Sequence, residues 1–328
     1  MKPFSNIFFN NVLWVTDGTS ENKLVIQRVL AVIKKFNSRL TLVHVIEEPP
    51  SELTILSGKS RSEIKKKRDD LLKRQVTKSN SILEKIVATL KKNGVRANFK
   101  VTTGKEFVEI IRMVLRNKHD MVIKKAGMDD GFLKRTFGTE DMHLMRDCPC
   151  PVLLIKPKVR KDHPLILAAV DPDPVNSTRD AINKLILDYT LSFEQTFNKC
   201  EIHFIHAWDI NEGVLSKVGG QAEKNAMSYR EKQHRRELVD HFLDKYKWEN
   251  NKPKIHILKG SPKKLIPKLA NELDAGLVIM GTVCRTGIPG LIIGNTAETV
   301  MNKLKCSILA IKPQKFVSNV TLKKIKSY

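Results

Sequence analysis

Cysteine, aromatic residues and long apolar runs are all scarce in this chain of 328 residues. The cysteines are Cys148, Cys150, Cys200, Cys284 and Cys306. Their odd number and the lack of a dense cysteine framework favour a reducing compartment over a disulfide-stapled secreted domain. The longest apolar runs have the length of a strand, and the first residues show no basic segment followed by an apolar core. We therefore expect a cytoplasmic protein without a signal peptide, and not an integral membrane protein.

Motifs of common catalytic sites are also missing. The chain contains no G-x-S-x-G elbow, no H-E-x-x-H and no Walker sequence G-x4-G-K-[ST]. His203 and His206 are three positions apart, which on a strand sends their side chains to opposite faces, so they form a poor metal pair. Cys148 and Cys150 are too close for an ordinary disulfide and have no nearby histidine cluster to complete a zinc site. The sequence therefore predicts no catalytic residue and no metal site, and we expect a protein that is not an enzyme.

Positive charge is abundant, with 58 lysines and arginines against 35 acidic residues and a formal net charge of +23. Residues 51–100 alone hold fourteen basic and five acidic side chains. This segment also has apolar residues at helical spacing, which are Ile64, Leu71, Val76, Leu83, Ile86 and Leu90. A solvated helix face and a surface for RNA or anionic lipid both remain open. Aromatic residues interleaved with the basic ones are absent, which disfavours a platform for stacked bases.

Two segments of the chain end alike, 156 residues apart. GTEDMHLMRDCPCPVLLIKP occupies Gly138–Pro157, and GNTAETVMNKLKCSILAIKP occupies Gly294–Pro313. Each half also begins with an apolar run closed by an aspartate, Asp17 in the first and Asp171 in the second. The chain is therefore a repeat of two similar units. We place the first domain at 1–158, the second at 163–313, and a basic tail at 314–328.

Strand and helix patterns alternate through both halves. Continuous apolar runs suit strands that are buried on both faces, as in a parallel sheet. A first helix with one apolar face follows each first strand, and its predicted core face in the first half is Leu24, Val25, Val29, Val32, Ile33 and Phe36. A long basic helix is expected after the second strand of each half. The fold class is therefore α/β, with each half a five-stranded, parallel, doubly wound sheet.

The residues of the second half resemble those of a known family. An aspartate at the end of the first strand, a glycine after the third, and the pattern M-G…G-N-T-A-E…C…L-A-I-K-P are similar to the universal stress proteins, in particular to two-domain members of the UspE type. The resemblance is strong over 163–313 and weaker, but in register, over 1–157. It implies two domains packed about a pseudo-two-fold axis and a role in stress tolerance.

The resemblance also implies a candidate nucleotide site in the second half. ATP-binding relatives carry G-x2-G-x9-G-[ST], where the glycines let the backbone approach the phosphates. This chain has Gly281-x2-Cys284-x9-Gly294-Asn295, in which Cys284 would crowd the phosphate path. Asn295 is equally explained as a helix cap. Asp171 and Ala207, at predicted strand ends, correspond to the positions beside the base and ribose. For the strand-end aspartates, a cap for the next helix or a turn residue is the alternative.

The first half keeps less of this motif. The same register gives Lys125-x2-Met128-x9-Gly138-Thr139, so only Gly138 and Thr139 match. Lys124 and Lys125 are cations that can hold an anionic group where relatives have glycine. Asp17 and Val45 occupy the strand ends that correspond to Asp171 and Ala207. A domain that has lost its ligand and kept the fold is the alternative for both halves.

Three functions follow from these residues. The first is a non-catalytic stress protein that binds a small ligand or a partner protein. The second is an ATP-binding regulatory module that uses the second domain, and the third is a binder of RNA or anionic lipid, although nucleic acid is the less favoured partner. No cofactor is certain, and ATP or another small anionic or lipid-like ligand is the candidate. We expect the last strands, Val152–Ile155 and Ser307–Ile311, to pair within one chain, and a homodimer remains open.

Overall fold

The structure is a computed structural model of the chain. It describes residues 7, 9–19, 23–47, 61–127, 137–156, 165–173, 177–196, 200–210, 219–246, 248, 252–282, 294–314 and 316–322. None of the helices within these ranges is long and apolar enough to cross a membrane. By its internal contacts the chain divides into two compact units. The first domain comprises 8–127 and 139–157 together with the tail 318–328, and the second comprises 158–317 with the segments 1–7 and 128–138.

The first domain is a parallel sheet flanked by helices. Its strands are β1 (Asn11–Val15), β2 (Arg39–Ile46), β3 (Ala97–Thr103), β4 (Met121–Lys125) and β5 (Val152–Ile155). Its helices are α1 (Lys23–Phe36), α2 (Arg61–Lys92), α3 (Glu106–Asn117) and α4 (Thr139–Asp147). The strand order is β3-β2-β1-β4-β5, and every neighbouring pair is parallel.

The second domain repeats this topology. Its strands are β6 (Leu165–Ala169), β7 (Glu201–Trp208), β8 (Lys254–Lys259), β9 (Leu277–Gly281) and β10 (Ser307–Ile311). Its helices are α5 (Ser177–Glu194), α6 (Gln221–Leu243), α7 (Pro262–Glu272) and α8 (Asn295–Met301). The order is β8-β7-β6-β9-β10, again all parallel. The predicted fold, two doubly wound parallel sheets of five strands, is confirmed.

The central strands form the core because they are apolar on both faces. Val12, Leu13 and Trp14 of β1 have no exposed surface, and the same is true of Ile166 and Leu167 in β6. Burial of each such side chain stabilises the fold by about 1.5–3 kcal/mol relative to exposure. The first strand of each domain lies between two other strands, so its carboxyl end points to the centre of one sheet edge.

The first helix buries most of its predicted apolar face. Val25, Val29, Val32 and Ile33 are buried, whereas Leu24 is 38% exposed, so its assignment to the core face was wrong. Phe36 is half-buried and packs edge-on against Phe9, with ring centroids 4.9 Å apart. Leu24 lies in the first turn of the helix.

The long helices that follow the second strand of each domain, α2 and α6, differ in length and in charge. Helix α2 has 32 residues, about 48 Å at 1.5 Å per residue, whereas β2 with eight residues spans only about 26 Å. Among the side chains of α2 that the structure describes, the buried apolar ones are Leu83, Val87 and Leu90, near its end, whereas Leu71, one of the apolar residues at helical spacing, is 56% exposed. Helix α6 carries five basic and four acidic residues, so the prediction of a basic helix here was wrong.

Candidate functional site

Both domains use a histidine to fasten the end of the first strand. His44 of β2 places Nδ1 3.0 Å from the carbonyl oxygen of Thr16, and His206 of β7 places Nδ1 3.1 Å from that of Val170. A carbonyl only accepts, so Nδ1 carries the donated proton in each ring. Each accepting residue directly precedes the aspartate that closes the first strand segment. The two histidines therefore tie the second strand of each domain to the end of the first.

The turn after β1 requires a glycine. Gly18 has a φ of +71°, in the left-handed region that favours glycine. A Cβ at this position would lie 2.7 Å from both Cδ2 and Nε2 of His44. The ring of His44 thus lies directly against the backbone of the turn, and this contact shapes the floor of a cavity.

The cavity opens at the carboxyl ends of β1 and β2, under helix α2, and has a volume of about 460 Å³. Its lining consists of Asp17, Gly18, Thr19, His44, Val45, Ile46, Glu47, Gln75, Lys78, Ser79 and Ile82. All these residues belong to the first domain. The size falls within the range of small-molecule sites in proteins. In an open parallel sheet this edge is also where ligands bind.

Asp17 is the charged group at the centre of this edge. Its Oδ1 accepts hydrogen bonds from the amide of Thr19 at 2.9 Å and from the hydroxyl of Thr19 at 2.6 Å. Its Oδ2 lies 3.3 Å from Nζ of Lys125. Partial burial acts to raise the pKa of Asp17, but the hydrogen bonds from Thr19 and the ammonium of Lys125 outweigh it and lower the pKa. The carboxylate therefore stays ionised and is suited to accept hydrogen bonds, not to act as an acid.

Helix α2 supplies the other wall of the cavity. Gln75, Ser79 and Ile82 face it at spacings of four and three residues, which places them on one side of the helix, and Lys78 joins them. Sequence reasoning missed these residues, because nothing in the sequence shows which part of a 32-residue helix lies over a strand end. The wall mixes an amide, a hydroxyl, an ammonium and an apolar side chain. Such a surface can orient a small polar molecule and bury its apolar part.

The structure brings together only some of the residues predicted for the first half. Asp17 and Val45 both line the cavity. Gly138 and Thr139 are not among its lining residues, and Thr139 is the exposed first residue of α4. Met128 lies outside the described residues.

Lys124 does not serve the role suggested for it. Its Nζ lies 2.6 Å from Oδ1 of Asp141 and 3.1 Å from Oε2 of Glu106, so the chain's own carboxylates hold this cation. Lys125 is paired with Asp17 in the same way. In this arrangement the partners of both lysines are carboxylates of the chain itself.

Asp141 is the buried centre of this ion cluster. It is 1% exposed, and its second oxygen accepts the amide of Gly127 at 2.7 Å. Burial acts to lower the pKa of Lys124, but the charges of Asp141 and Glu106 outweigh it and raise the pKa. Burial raises the pKa of Glu106 despite the nearby Lys124. The cluster ties β4 to the first turns of α3 and α4 and closes this part of the edge.

In the second domain the aspartate has different neighbours. Asp171 donates its amide to Oδ1 of Asn183 at 2.9 Å, and its carboxylate lies 3.7 Å from Nη1 of Arg179 and 3.7 Å from Nδ1 of His206. Arg179 also binds Asp173 at 2.9 Å. Sequence reasoning missed Arg179, although an arginine in the first turn of the helix after D-P-D was a readable signal. Ala207 is half-buried on β7, one residue beyond His206.

The motif residues of the second half have local structural roles. A Cβ on Gly281 would lie 2.8 Å from Cγ2 of Ile182, so glycine lets α5 approach β9. Gly294 is the N-cap of α8, and its amide donates to the carbonyl of Thr282 at 3.1 Å. Asn295 is the first residue inside the helix, so its interpretation as the cap was wrong. Cys284 lies outside the described residues.

A histidine pair on β7 and β8 was also missed. Nε2 of His256 lies 3.1 Å from Nδ1 of His203, and the rings are stacked with centroids 5.1 Å apart. His203 is 2% exposed, and its other nitrogen lies 3.4 Å from a carboxylate oxygen of Glu201. Within the described ranges, no group of three or more histidine, cysteine or acidic side chains is arranged to hold a metal ion.

Comparison with known proteins agrees with the repeat. The model of the universal stress protein family matches this chain twice, over residues 8–156 and 166–312. Universal stress protein E of Escherichia coli K12 is 26% identical over 315 residues, which are 96% of this chain and 97% of that protein. The universal stress protein E homolog of Haemophilus influenzae is 30% identical over 202 residues, covering 62% of this chain and 65% of the homolog.

Solved structures share the fold across nearly the whole chain. A functionally unknown protein from Pseudomonas aeruginosa PAO1 superimposes with a TM-score of 0.68 at 24% identity and covers 93% of both chains. A universal stress protein from Archaeoglobus fulgidus superimposes with a TM-score of 0.59 at 20% identity, covering 93% of this chain and 99% of its own. Because the two family matches cover both halves of the repeat, this chain belongs to the universal stress protein family, with two of its domains in tandem.

Proposed function

We propose that this chain is a non-catalytic, cytoplasmic stress protein that acts by binding a small polar molecule in the cavity of its first domain. The observation that carries the proposal is the cavity itself, a space of about 460 Å³ that both Asp17 and Val45 line. Its position at the carboxyl ends of β1 and β2 is where an open parallel sheet accepts ligands. Family membership supports the stress role, and the cavity supports binding.

The charges around the cavity indicate the chemistry of the ligand. Asp17 and Glu47 are two carboxylates, and Lys78 is the cation in the lining. Asp17 remains ionised, so it favours hydroxyl or amino groups that donate hydrogen bonds. Val45, Ile46 and Ile82 offer apolar contact. A molecule with a flat or apolar part and several donors, of the size of a nucleoside, fits this lining better than a free polyanion.

Binding without catalysis agrees with how the polar groups of the cavity are used. The proton of Nδ1 in His44 is donated to the carbonyl of Thr16. The carboxylate of Asp17 is held by Thr19 and Lys125, and its lowered pKa makes it a poor proton donor. General acid–base catalysis needs a group whose pKa lies near the working pH. Asp17 is therefore better suited to fix the shape of the cavity than to transfer protons, and His44 is held against the end of β1 by its hydrogen bond to Thr16.

Native mass spectrometry of freshly purified protein, followed by thermal-shift titration with adenosine, AMP and ATP, tests the proposal. We expect a retained small mass or a concentration-dependent rise in Tm with at least one probe, because a ligand that binds the folded state stabilises it. The Gln75→Trp variant fills the cavity from an exposed position on α2 and should abolish the shift. Thr77→Trp, also exposed on α2 but outside the lining, is the matched control and should retain it.

Two results would contradict the proposal. Absence of a retained mass together with no shift for any probe would remove the ligand-binding role of the cavity for these compounds. A shift that survives Gln75→Trp but is lost in Gly294→Trp would instead favour the ATP-binding alternative in the second domain. Asp17→Asn adds a second readout, since loss of the carboxylate should weaken binding of hydroxyl-bearing probes while the cavity volume stays nearly unchanged.

A further inference from the structure

Five basic side chains of α2 lie on one line along the helix. They are Lys67, Arg74, Lys78, Lys85 and Lys92, and we call them the α2 basic stripe. Their spacings are seven, four, seven and seven residues, which at 3.6 residues per turn keeps them within a sector of about 40°. At 1.5 Å per residue the stripe is about 37 Å long. The four carboxylates of α2, at Glu63, Asp69, Asp70 and Glu84, fall outside this sector.

All five members of the stripe are exposed. Some cations elsewhere in the chain are paired with carboxylates, as Lys124 is with Asp141 and Arg236 with Asp240. Among the residues that the structure describes, no ion pair involves a member of the stripe. The line of charge is therefore available to an outside anion along its whole length.

Comparison with the second domain shows that this charge is not a requirement of the fold. Helix α6 occupies the same place in the topology, between the second and third strands, with five basic and four acidic residues. Helix α2 has eleven basic and four acidic residues. Two of the basic residues of α6 are in ion pairs within the helix, Arg235 with Glu231 and Arg236 with Asp240. The excess of positive charge is thus confined to one of two equivalent helices.

We propose that the α2 basic stripe is a binding surface for the phosphate backbone of a nucleic acid duplex, without sequence preference. A duplex presents a dense, regular line of phosphates, and lysine or arginine side chains that neutralise them release counterions. The length of the stripe is comparable to one helical turn of DNA, which is about 34–36 Å. Backbone contact needs neither stacked aromatic residues nor base readout, so the lack of aromatic residues on α2 does not oppose it.

An anionic membrane is a weaker fit to the same surface. Helices that lie on membranes bury an apolar face at the headgroup boundary while their cations face the lipid phosphates. The apolar face of α2 is already used inside the first domain, where Leu83, Val87 and Leu90 are buried. Leu71 is the exposed large apolar side chain that α2 presents within its described residues. The α2 basic stripe can therefore bind mainly through its positive charge, which suits the phosphate backbone of a duplex better than a membrane.

The test measures binding of a 20-base-pair DNA duplex of mixed sequence to the full chain by fluorescence anisotropy between 50 and 200 mM salt. The stripe variant is Lys67→Gln, Arg74→Gln, Lys85→Gln and Lys92→Gln together, and Lys78 stays because it lines the cavity. We expect the slope of log Kobs against log salt to become shallower by about 3.6, since each phosphate contact contributes about 0.9. Affinity at the lowest salt should fall at least about tenfold.

The matched control removes the same number of charges from exposed positions of the second domain, Arg230→Gln, Lys232→Gln, Lys264→Gln and Lys303→Gln. It should bind like the wild type, and circular dichroism should show that both variants are folded. Equal loss in the two variants, or no binding by the wild type at 50 mM salt, would overturn the proposal. Binding of phosphatidylserine vesicles but not of the duplex would overturn it in favour of a membrane. Because the cavity is intact in the stripe variant, thermal-shift titration reports on the proposed function separately.

Discussion

Two adjacent lysines of β4 show how the face of a strand decides the burial and the partners of a side chain. Lys124 and Lys125 follow one another in β4, so their side chains point to opposite faces of the sheet. Lys124 meets Asp141 and Glu106 and is 13% exposed, whereas Lys125 meets Asp17 and is 39% exposed. The sequence presents them as one pair of cations. The two ion pairs have very different energetic weight, because burial removes the water that screens charge.

We predict that Lys124→Met destabilises the chain much more than Lys125→Met. Removal of Lys124 leaves the carboxylate of Asp141 buried without its cation, a change that costs about 3–5 kcal/mol of the free energy of unfolding. Removal of Lys125 affects a half-exposed pair and should cost less than about 1 kcal/mol. Urea denaturation of both variants, followed by circular dichroism, measures the difference.

A compensating variant checks the cause of that difference. Lys124→Met combined with Asp141→Asn and Glu106→Gln removes the uncompensated charges and should recover part of the lost stability. Similar urea midpoints for the two single variants would show that the buried cluster contributes no more than the exposed pair.

The backbone geometry at the ends of the second and third strands is repeated between the domains, whereas some side-chain pairs on neighbouring strands occur in only one of them. The amide of Gly104 donates to the carbonyl of Ile46, and that of Gly260 donates to the carbonyl of Trp208, with φ values of 137° and 131°. The second domain adds a pair that the first domain lacks at the corresponding strands, His203 of β7 with His256 of β8. The two domains therefore share the backbone hydrogen bonds at their strand ends, whereas the titratable histidine pair belongs to the second domain alone.

We predict that the histidine pair makes the second domain sensitive to mild acid. Burial lowers the pKa of both His203 and His256, and nearby Lys254 lowers them further, while Glu201 acts in the opposite direction on His203. The unfolded chain, with a histidine pKa of about 6.5, then binds more protons than the folded chain. Stability is therefore complete above about pH 6.5 and decreases as the pH falls toward the lower folded pKa values.

Urea midpoints at pH 7.5 and pH 5.5 test this dependence. The wild type should lose stability at the lower pH, and His256→Gln should lose less, because one proton-linked group has been removed. His241→Gln, on the exposed surface of α6, is the control and should follow the wild type. An unchanged pH dependence in His256→Gln would assign the acid sensitivity to other groups, such as His119, whose pKa burial also lowers.

At the scale of the whole molecule, the end of the chain returns to the first domain after completing the second. The side-chain amide of Asn319 donates to Oδ1 of Asp147 at 3.0 Å, and Nε of Arg112 donates to the carbonyl of Thr321 at 3.3 Å. Asp147 is 7% exposed, so its partner is worth more than a surface contact. The tail therefore contributes to the stability of the unit that contains residues 8–127 and 139–157.

Truncation after Val317 should lower the free energy of unfolding by about 1–3 kcal/mol, because it removes the donor to a buried carboxylate. Truncation after Leu322 keeps Asn319 and Thr321 and serves as the control, with the wild-type midpoint expected. Asn319→Ala isolates the single hydrogen bond and should reproduce most of the effect. Equal midpoints for all three variants and the wild type would mean that the tail contacts add nothing to stability.

The sequence by itself determined the fold and its repetition. Apolar runs of strand length, alternation with helices and the 156-residue register predicted both sheets, because burial on two faces and a right-handed crossover leave few topologies for such a pattern. It also placed Asp17 and Val45 at strand ends, since the position of a residue along a strand is a local property.

Only the tertiary structure decided which of these residues share a site and which are already paired with other side chains of the chain. Gln75 and Ser79 reach the cavity because α2 happens to lie over β2 at that point, and Lys124 is held by two carboxylates that are 18 and 17 residues away from it in sequence. Gly281 is explained by the approach of Ile182, and His203 by a partner on the next strand. Such contacts depend on the distance between elements, and a pattern along one chain carries no information about that distance.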